Sequence, residues 1–134
     1  MSVLTALAER LAAGNPGVPV FAGARDPVPD EALNVQTYGG PPGRHLDDRN
    51  HHLVEFVAFQ VMSRAASQEI ATRAAERAYV ILPGRHVVLD DVRYDWIEAN
   101  HRPAYVGVDQ NGRALVSVNF TARRDGPATR EGVA

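Results

Sequence analysis

Residues 53–64, LVEFVAFQVMSR, carry apolar side chains at both parities of a single run. Read as a strand, the run sends Val54, Phe56, Ala58 and Met62 to one side and Val57, Phe59 and Val61 to the other. A strand that is apolar on both faces has to be covered on both. One cover is encoded directly downstream. In SQEIATRAAERAYVIL (67–82), Ile70, Ala71, Ala74, Ala78 and Ile81 or Leu82 recur at helical spacing, and Arg73, Glu76 and Arg77 face water. Ser67 is placed to start this helix, its alanines allow close approach to a sheet, and Pro83-Gly84 ends it. The second face calls for a neighbouring subunit.

The rest of the chain builds outward from this pair. Ser2 can cap a first helix with Leu4, Leu7, Ala8 and Leu11 on one stripe, stopped by Gly14 and Pro16. VPVFAG (18–23) reads as a short strand, the proline-broken 24–32 as a connection, and LNVQTYG (33–39) as a second strand. After the helix, HVVLD and VRYDWIEAN flank Asp90-Asp91, a tight hairpin turn. AYVGV and ALVSVNFTAR flank Asp109–Arg113, where Asn111-Gly112 is a strong hairpin signal. In the last strand Val116, Val118 and Phe120 alternate with Ser117, Asn119 and Thr121, so one face is expected in the core and the other polar. The order predicts a single α+β domain over residues 1–124, with two main helices on one face of a mostly antiparallel mixed sheet. DGPATREGVA (125–134) has no core-forming pattern and is expected to be a flexible tail.

Composition removes several function classes. With 134 residues, 45% apolar and 22% charged, the chain is ordinary for one globular domain, and no apolar run reaches the roughly 20 residues that span a bilayer. Without cysteine there are no disulfides and no thiolate metal ligands. Fourteen basic against sixteen acidic residues give a net charge of −2, without the basic excess of a domain that grips nucleic acid through phosphates. Every basic residue is arginine, a side chain suited to planar bidentate pairs with carboxylates, including pairs across interfaces.

Enzymatic signatures are equally scarce. Ser63, Ser67 and Ser117 lack a G-x-S-x-G context. YGGPPGR lacks the Lys-Ser/Thr of a phosphate loop, and its prolines remove backbone donors. Asp95 and Glu98, three apart on a strand, point to opposite faces and cannot act as a pair. Tyr94 and Trp96 read as core or interface anchors rather than a platform for stacked bases.

One stretch stays open. GGPPGRHLDDRNHH (39–52) gathers His45, Asp47, Asp48, His51 and His52 behind a glycine-proline turn. These residues offer enough nitrogen and oxygen ligands for zinc or manganese, so a small metal-dependent hydrolase or ligand-binding domain is the alternative function. Their spacing matches no H-E-x-x-H signature, and a glycine-proline loop preorganises ligands poorly. A solvated loop and an arm that touches another protein fit the same residues.

Taken in order, VQTYGGPPGR, VEFVAFQVMSR, SQEIATRAAERAYVIL and YVGVDQNGRALVSVNFTARR resemble the tail terminator family of long-tailed bacteriophages, also labelled phage minor capsid proteins. The resemblance runs from the first helix to about Arg124. It implies a mixed sheet flanked by helices and a homo-hexameric ring that caps the growing tail tube, ends its polymerisation and serves head–tail joining. Implied partners are the tail tube protein and the head-completion or connector proteins, with viral DNA passing through the ring unread. The implied location is the head–tail junction of the virion, reached from the host cytoplasm, and no cofactor or catalysis is implied. Under it the contact-arm reading is preferred, and Arg44, His45, Asp47, Asp48, Arg49, His51 and His52 become candidate subunit or partner contacts. The histidine content and length of this loop depart from the family pattern.

Overall fold

A computed structural model describes residues 3–15, 17–23, 29–38, 44–45 and 52–127; for Tyr38, Arg44, His45, His52, Leu53 and 125–127 it describes the backbone. In chain order the elements are α1 (Val3–Ala13), β1 (Val20–Ala22), β2 (Ala32–Tyr38), β3 (Arg44–His45), β4 (His52–Ala65), α2 (Gln68–Ile81), β5 (Gly84–Leu89), β6 (Val92–Ala99), β7 (Ala104–Val108) and β8 (Ala114–Pro127). All eight strands join one sheet, with the path β1-β2-β4-β8-β6-β5; β3 pairs with β4 and β7 with β8 off this path. Among the described strands only the β1–β2 pair is parallel. This is the expected mixed, mostly antiparallel sheet with two helices.

The doubly apolar run is β4, and it lies in the middle of the sheet. It pairs with β8 along its whole length, from His52↔Pro127 to Ala65↔Ala114. Direct partners share a face, so Val57, Phe59 and Val61 stand beside Ala122, Phe120 and Val118. The rings of Phe59 and Phe120 stack with centroids 5.0 Å apart and planes 11° from parallel. Both helices cover this face: Leu7 and Leu11 from α1, and Ala74, Ala78 and Leu82 at α2, join the same buried cluster. The α1 helix meets β1 and β2 at one end of the strand path and β5 at the other, so the sheet curls around it.

Local chemistry sets the ends of the elements. Ser67 Oγ accepts the Ile70 N–H at 3.2 Å and caps α2. At the end of α1, Asn15 Nδ2 donates to the Leu11 carbonyl at 3.0 Å, beside the Gly14 N–H at 3.2 Å. Gly14 does more than stop α1. A Cβ there would lie 2.0 Å from Ile81 Cδ1, so the absence of a side chain lets the two helix ends meet. Asp90 and Asp91 have φ of 52° and 61°, the two left-handed residues that a type I′ hairpin requires between Leu89 and Val92.

One expectation shifts. Ile70, assigned to the buried stripe of α2, is 40% exposed, while Ala75, outside that stripe, is buried together with Ala71, Ala65, Ala114 and Val116. The helix therefore presents small alanines to the sheet and turns its branched residue outward. Asn34 lies buried on β2, where its side-chain amide donates to the Gly23 carbonyl. A buried amide is tolerated when it is hydrogen-bonded. Strand β8 runs on to Pro127, because β4 continues to supply ladder partners as far as His52. Residues 128–134 lie outside the described residues.

Candidate functional site

The loop singled out in the sequence is only partly a loop. Arg44 and His45 form β3, paired antiparallel with Val54 and Leu53, and His52 is the first residue of β4. Residues 44–45 and 52 thus extend the sheet as a hairpin at the end of β4 where β8 finishes. Asp47, Asp48, Arg49 and His51 lie outside the described residues. The structure brings the backbones of Arg44, His45 and His52 onto one ribbon and leaves the arrangement of the other four undescribed. Among the described residues no group of three or more His, Cys, Asp or Glu side chains is placed to hold a metal.

The arginines are used largely within the chain. Arg113 is buried, with Nε 2.8 Å from Asp109 Oδ2 and Nη1 3.5 Å from Asp30 Oδ1. Arg64, also buried, donates to the carbonyls of Pro29 and Asp30. Together they tie the entry to β2 onto β4 and onto the β7–β8 turn. Burying a guanidinium is costly unless it is paired and hydrogen-bonded; Arg113 is paired with carboxylates, and Arg64 is hydrogen-bonded to two backbone carbonyls. Further along, Arg123 meets Asp95 at 2.6 Å and Arg124 meets Glu55 at 3.1 Å. Asp95 is therefore an ion-pair partner, and Glu98 is an exposed neighbour on the same strand.

Asp109 organises the turn. Its Oδ1 accepts the N–H groups of Asn111 at 2.9 Å and Arg113 at 3.0 Å. Desolvation opposes its ionisation, but the backbone donors Arg113 and Asn111 and the Arg113 guanidinium outweigh that and hold its carboxyl below the ordinary value. A carboxylate with a lowered folded-state pKa stabilises the fold above its unfolded pKa, about 3.9. That contribution fades as pH falls through the folded-state value. Asp109→Asn is therefore expected to melt below wild type at neutral pH, with the gap closing below about pH 4. Melting curves from pH 7 down to 3 check this; a constant gap would mean that the turn owes nothing to the charge.

The sheet face away from the helices is polar and uncharged along its middle rows, with Arg64, Arg123 and Glu98 farther out. Direct neighbours Gln36, Gln60 and Asn119 form one row, with Gln60 Nε2 donating to Asn119 Oδ1 at 3.1 Å. They line, with Thr37, a shallow hollow of about 300 Å³. Met62 and Ser117 continue the face on one side and Ala58 and Thr121 on the other. Next come Phe56, Arg123 and Trp96, the aromatic rings 6.5 Å apart and tilted by 53°. Tyr94 parts from Trp96 and joins the core beside Val87, because β6 pairs with β8 only from Trp96 onward. Aromatic residues, Met and Arg are enriched at interface cores, and Phe56, Trp96, Met62 and Arg123 share this face. The alternation of β8 pointed to this face, but its cross-strand amide row needed the register.

The fold and its surfaces can now be set beside known proteins. The model of the family described as bacteriophage tail terminator protein matches residues 10–125. This chain belongs to that family. The family is one of structural phage proteins, and the match covers everything from the second half of α1 into the last turn of the β8 ribbon. Among solved structures, a chain from the virion of a native gene transfer agent particle is 20% identical, with 92% of this chain and 94% of that one covered and a TM-score of 0.61. A second is 11% identical over 90% of this chain and 89% of its own, with a TM-score of 0.51. At these identities the likeness is one of fold. No curated protein matches.

Proposed function

We propose that six copies of this tail terminator family member close into a ring on the head-proximal end of a phage tail tube. The ring ends tube polymerisation and presents a surface to the head-completion proteins. The observation that carries this reading is the family match over residues 10–125. Its partners are copies of itself, the tail tube protein and the connector proteins, and it passes from the host cytoplasm to the head–tail junction of the virion. DNA crosses the ring without sequence-specific contacts, in keeping with a net charge of −2. The role is structural, with no chemical step. Electron micrographs of tails carrying a tagged copy test it: density for a ring at the head-proximal end is expected, and a tag found elsewhere would sink the reading.

Within it, residues 39–52 serve as the contact arm, with Arg44, His45, Asp47, Asp48, Arg49, His51 and His52 meeting a ring neighbour or the tube. The pairing of β3 with β4 supports this, since it carries the loop to the end of the longest ribbon of the sheet. Leu46 is the one large apolar residue between Gly39 and Asn50, so the segment offers little to a core. Replacing residues 46–51 by a Gly/Ser linker keeps the β3–β4 pairs and is expected to leave the melting temperature within about 2 °C of wild type. Joining of heads to completed tails is expected to be lost. A large drop in melting temperature would make the loop a structural element instead. The metal alternative predicts a stoichiometric ion in untagged protein, lost when His45, His51 and His52 all become alanine; the arm reading predicts none.

A further inference from the structure

We propose that β7 is the sheet edge through which each copy of this chain meets the next, and that the surface it meets is the β1 edge of a second copy. The inference rests on the ring reading and adds to it the two surfaces that close the ring. Along one side β8 is paired throughout with β4; along the other it pairs with β7 at 114–117 and with β6 at 120–123. The outer neighbour β5 flanks β6 alone, so among the described strands the position beside β7 is open. Tyr105, Val106 and Val108 on this edge are 50%, 55% and 61% exposed, half of the exposed large apolar side chains among the described residues.

Natural edge strands are guarded by charge, proline or distortion against pairing with other chains. Ala104–Val108 holds no charge and no proline. Its one guard is a bulge between Tyr105 and Gly107, which shortens any added ladder and leaves side-chain burial to supply much of the contact. Half a tyrosine and the two valines expose on the order of 300 Å², comparable to the largest apolar patch of an ordinary monomer, which is often functional. That is well short of the roughly 800 Å² per partner of a stable pair. A single contact of this kind is weak, which suits subunits whose ring a template helps to hold closed.

The occupant follows from the register. One cross-sheet row runs Val20–Leu33–Ser63–Val116–Tyr105, and the next runs Phe21–Asn34–Met62–Ser117–Ala104. Strands β1 and β7 are therefore opposite ends of the same band. The β1 edge is Val20-Phe21-Ala22, also uncharged, with Ala22 exposed. The third edge, β5, is guarded: Arg85 and His86 are exposed on it, and His86 with φ of 54° interrupts its extended backbone. A cyclic assembly joins two different patches. Joining the two uncharged edges continues the band from copy to copy.

Lysines on one edge test this against an equally exposed control. Val106→Lys with Val108→Lys is compared with Val88→Lys, on β5 and 62% exposed, in particles produced by a strain supplied with each chain. The β7 double variant is expected to melt like wild type and to fall to the tail yield of a strain without the chain, while Val88→Lys keeps wild-type yield. Full yield from the double variant, or loss with Val88→Lys alone, overturns the assignment of the edge and leaves the ring standing. Should wild-type tails show no ring, the ring reading itself fails, and the edge assignment with it. Because the chain has no cysteine, a second measurement is clean. Purified protein carrying both Val106→Cys and Ala22→Cys is expected to oxidise into a ladder reaching six copies, and neither single variant beyond background. Dimers from Val106→Cys alone would set β7 against itself and overturn the proposal.

Discussion

Phe120→Ala is expected to remove about 3–5 kcal/mol of folding stability, the usual cost of emptying a large buried aromatic site. The ring of Phe120 is fully buried and stacked on its direct ladder partner Phe59 at 5.0 Å. It sits where the two longest strands pair beneath both helices, so its removal strips contacts from strands and helices at once. Against a total stability of about 5–15 kcal/mol for an ordinary domain, the loss approaches half or more. Denaturant titration measures it. A loss under about 1.5 kcal/mol would mean that the site collapses around the cavity and that the stack is not the centre of the core.

Ala78→Leu is expected to destabilise by about 1–3 kcal/mol, although leucine is more hydrophobic and nearly as good a helix former. Ala78 is fully buried between α2 and the sheet, in the cluster that holds Phe59 and Phe120. The buried line Ala71, Ala74, Ala75 and Ala78 sets how closely the helix approaches. Added methylenes have no void to enter and must displace the helix. Val80→Leu is the control: at 75% exposure its change is expected within about 0.5 kcal/mol. A stabilised Ala78→Leu protein would show that the helix sits loosely on the sheet. Both measurements bear on assembly, since a displaced α2 disturbs β8 and, through it, the β7 edge.

The candidate site was less legible than the fold. The run 39–52 stood out because histidines, aspartates, glycines and prolines cluster there, yet its pairing through Arg44 and His45 depends on partners Val54 and Leu53 beyond the turn. A two-residue strand has no periodicity of its own to read. The exposed edge AYVGV read simply as a strand of the second hairpin, because an apolar strand at the rim and one in the centre have the same pattern. The arginines invited salt bridges to neighbours, and Arg64 and Arg113 turned out to be spent inside the chain.

By itself the sequence determined what depends on neighbours a few residues away. The two helices with their stops, the Asp90-Asp91 and Asn111-Gly112 turns, the doubly apolar strand and the α+β class all rest on local spacing and backbone preference. Tertiary structure decided what depends on distant partners. It set the order of the strands, turned Ile70 outward and drew Ala75 in, made Gly14 a point of helix contact, and paired Arg113 with Asp30, 83 residues away. It also determined that β1 and β7 end the same band uncharged while β5 is guarded. Register is a relation between strands, and no window along one strand contains it.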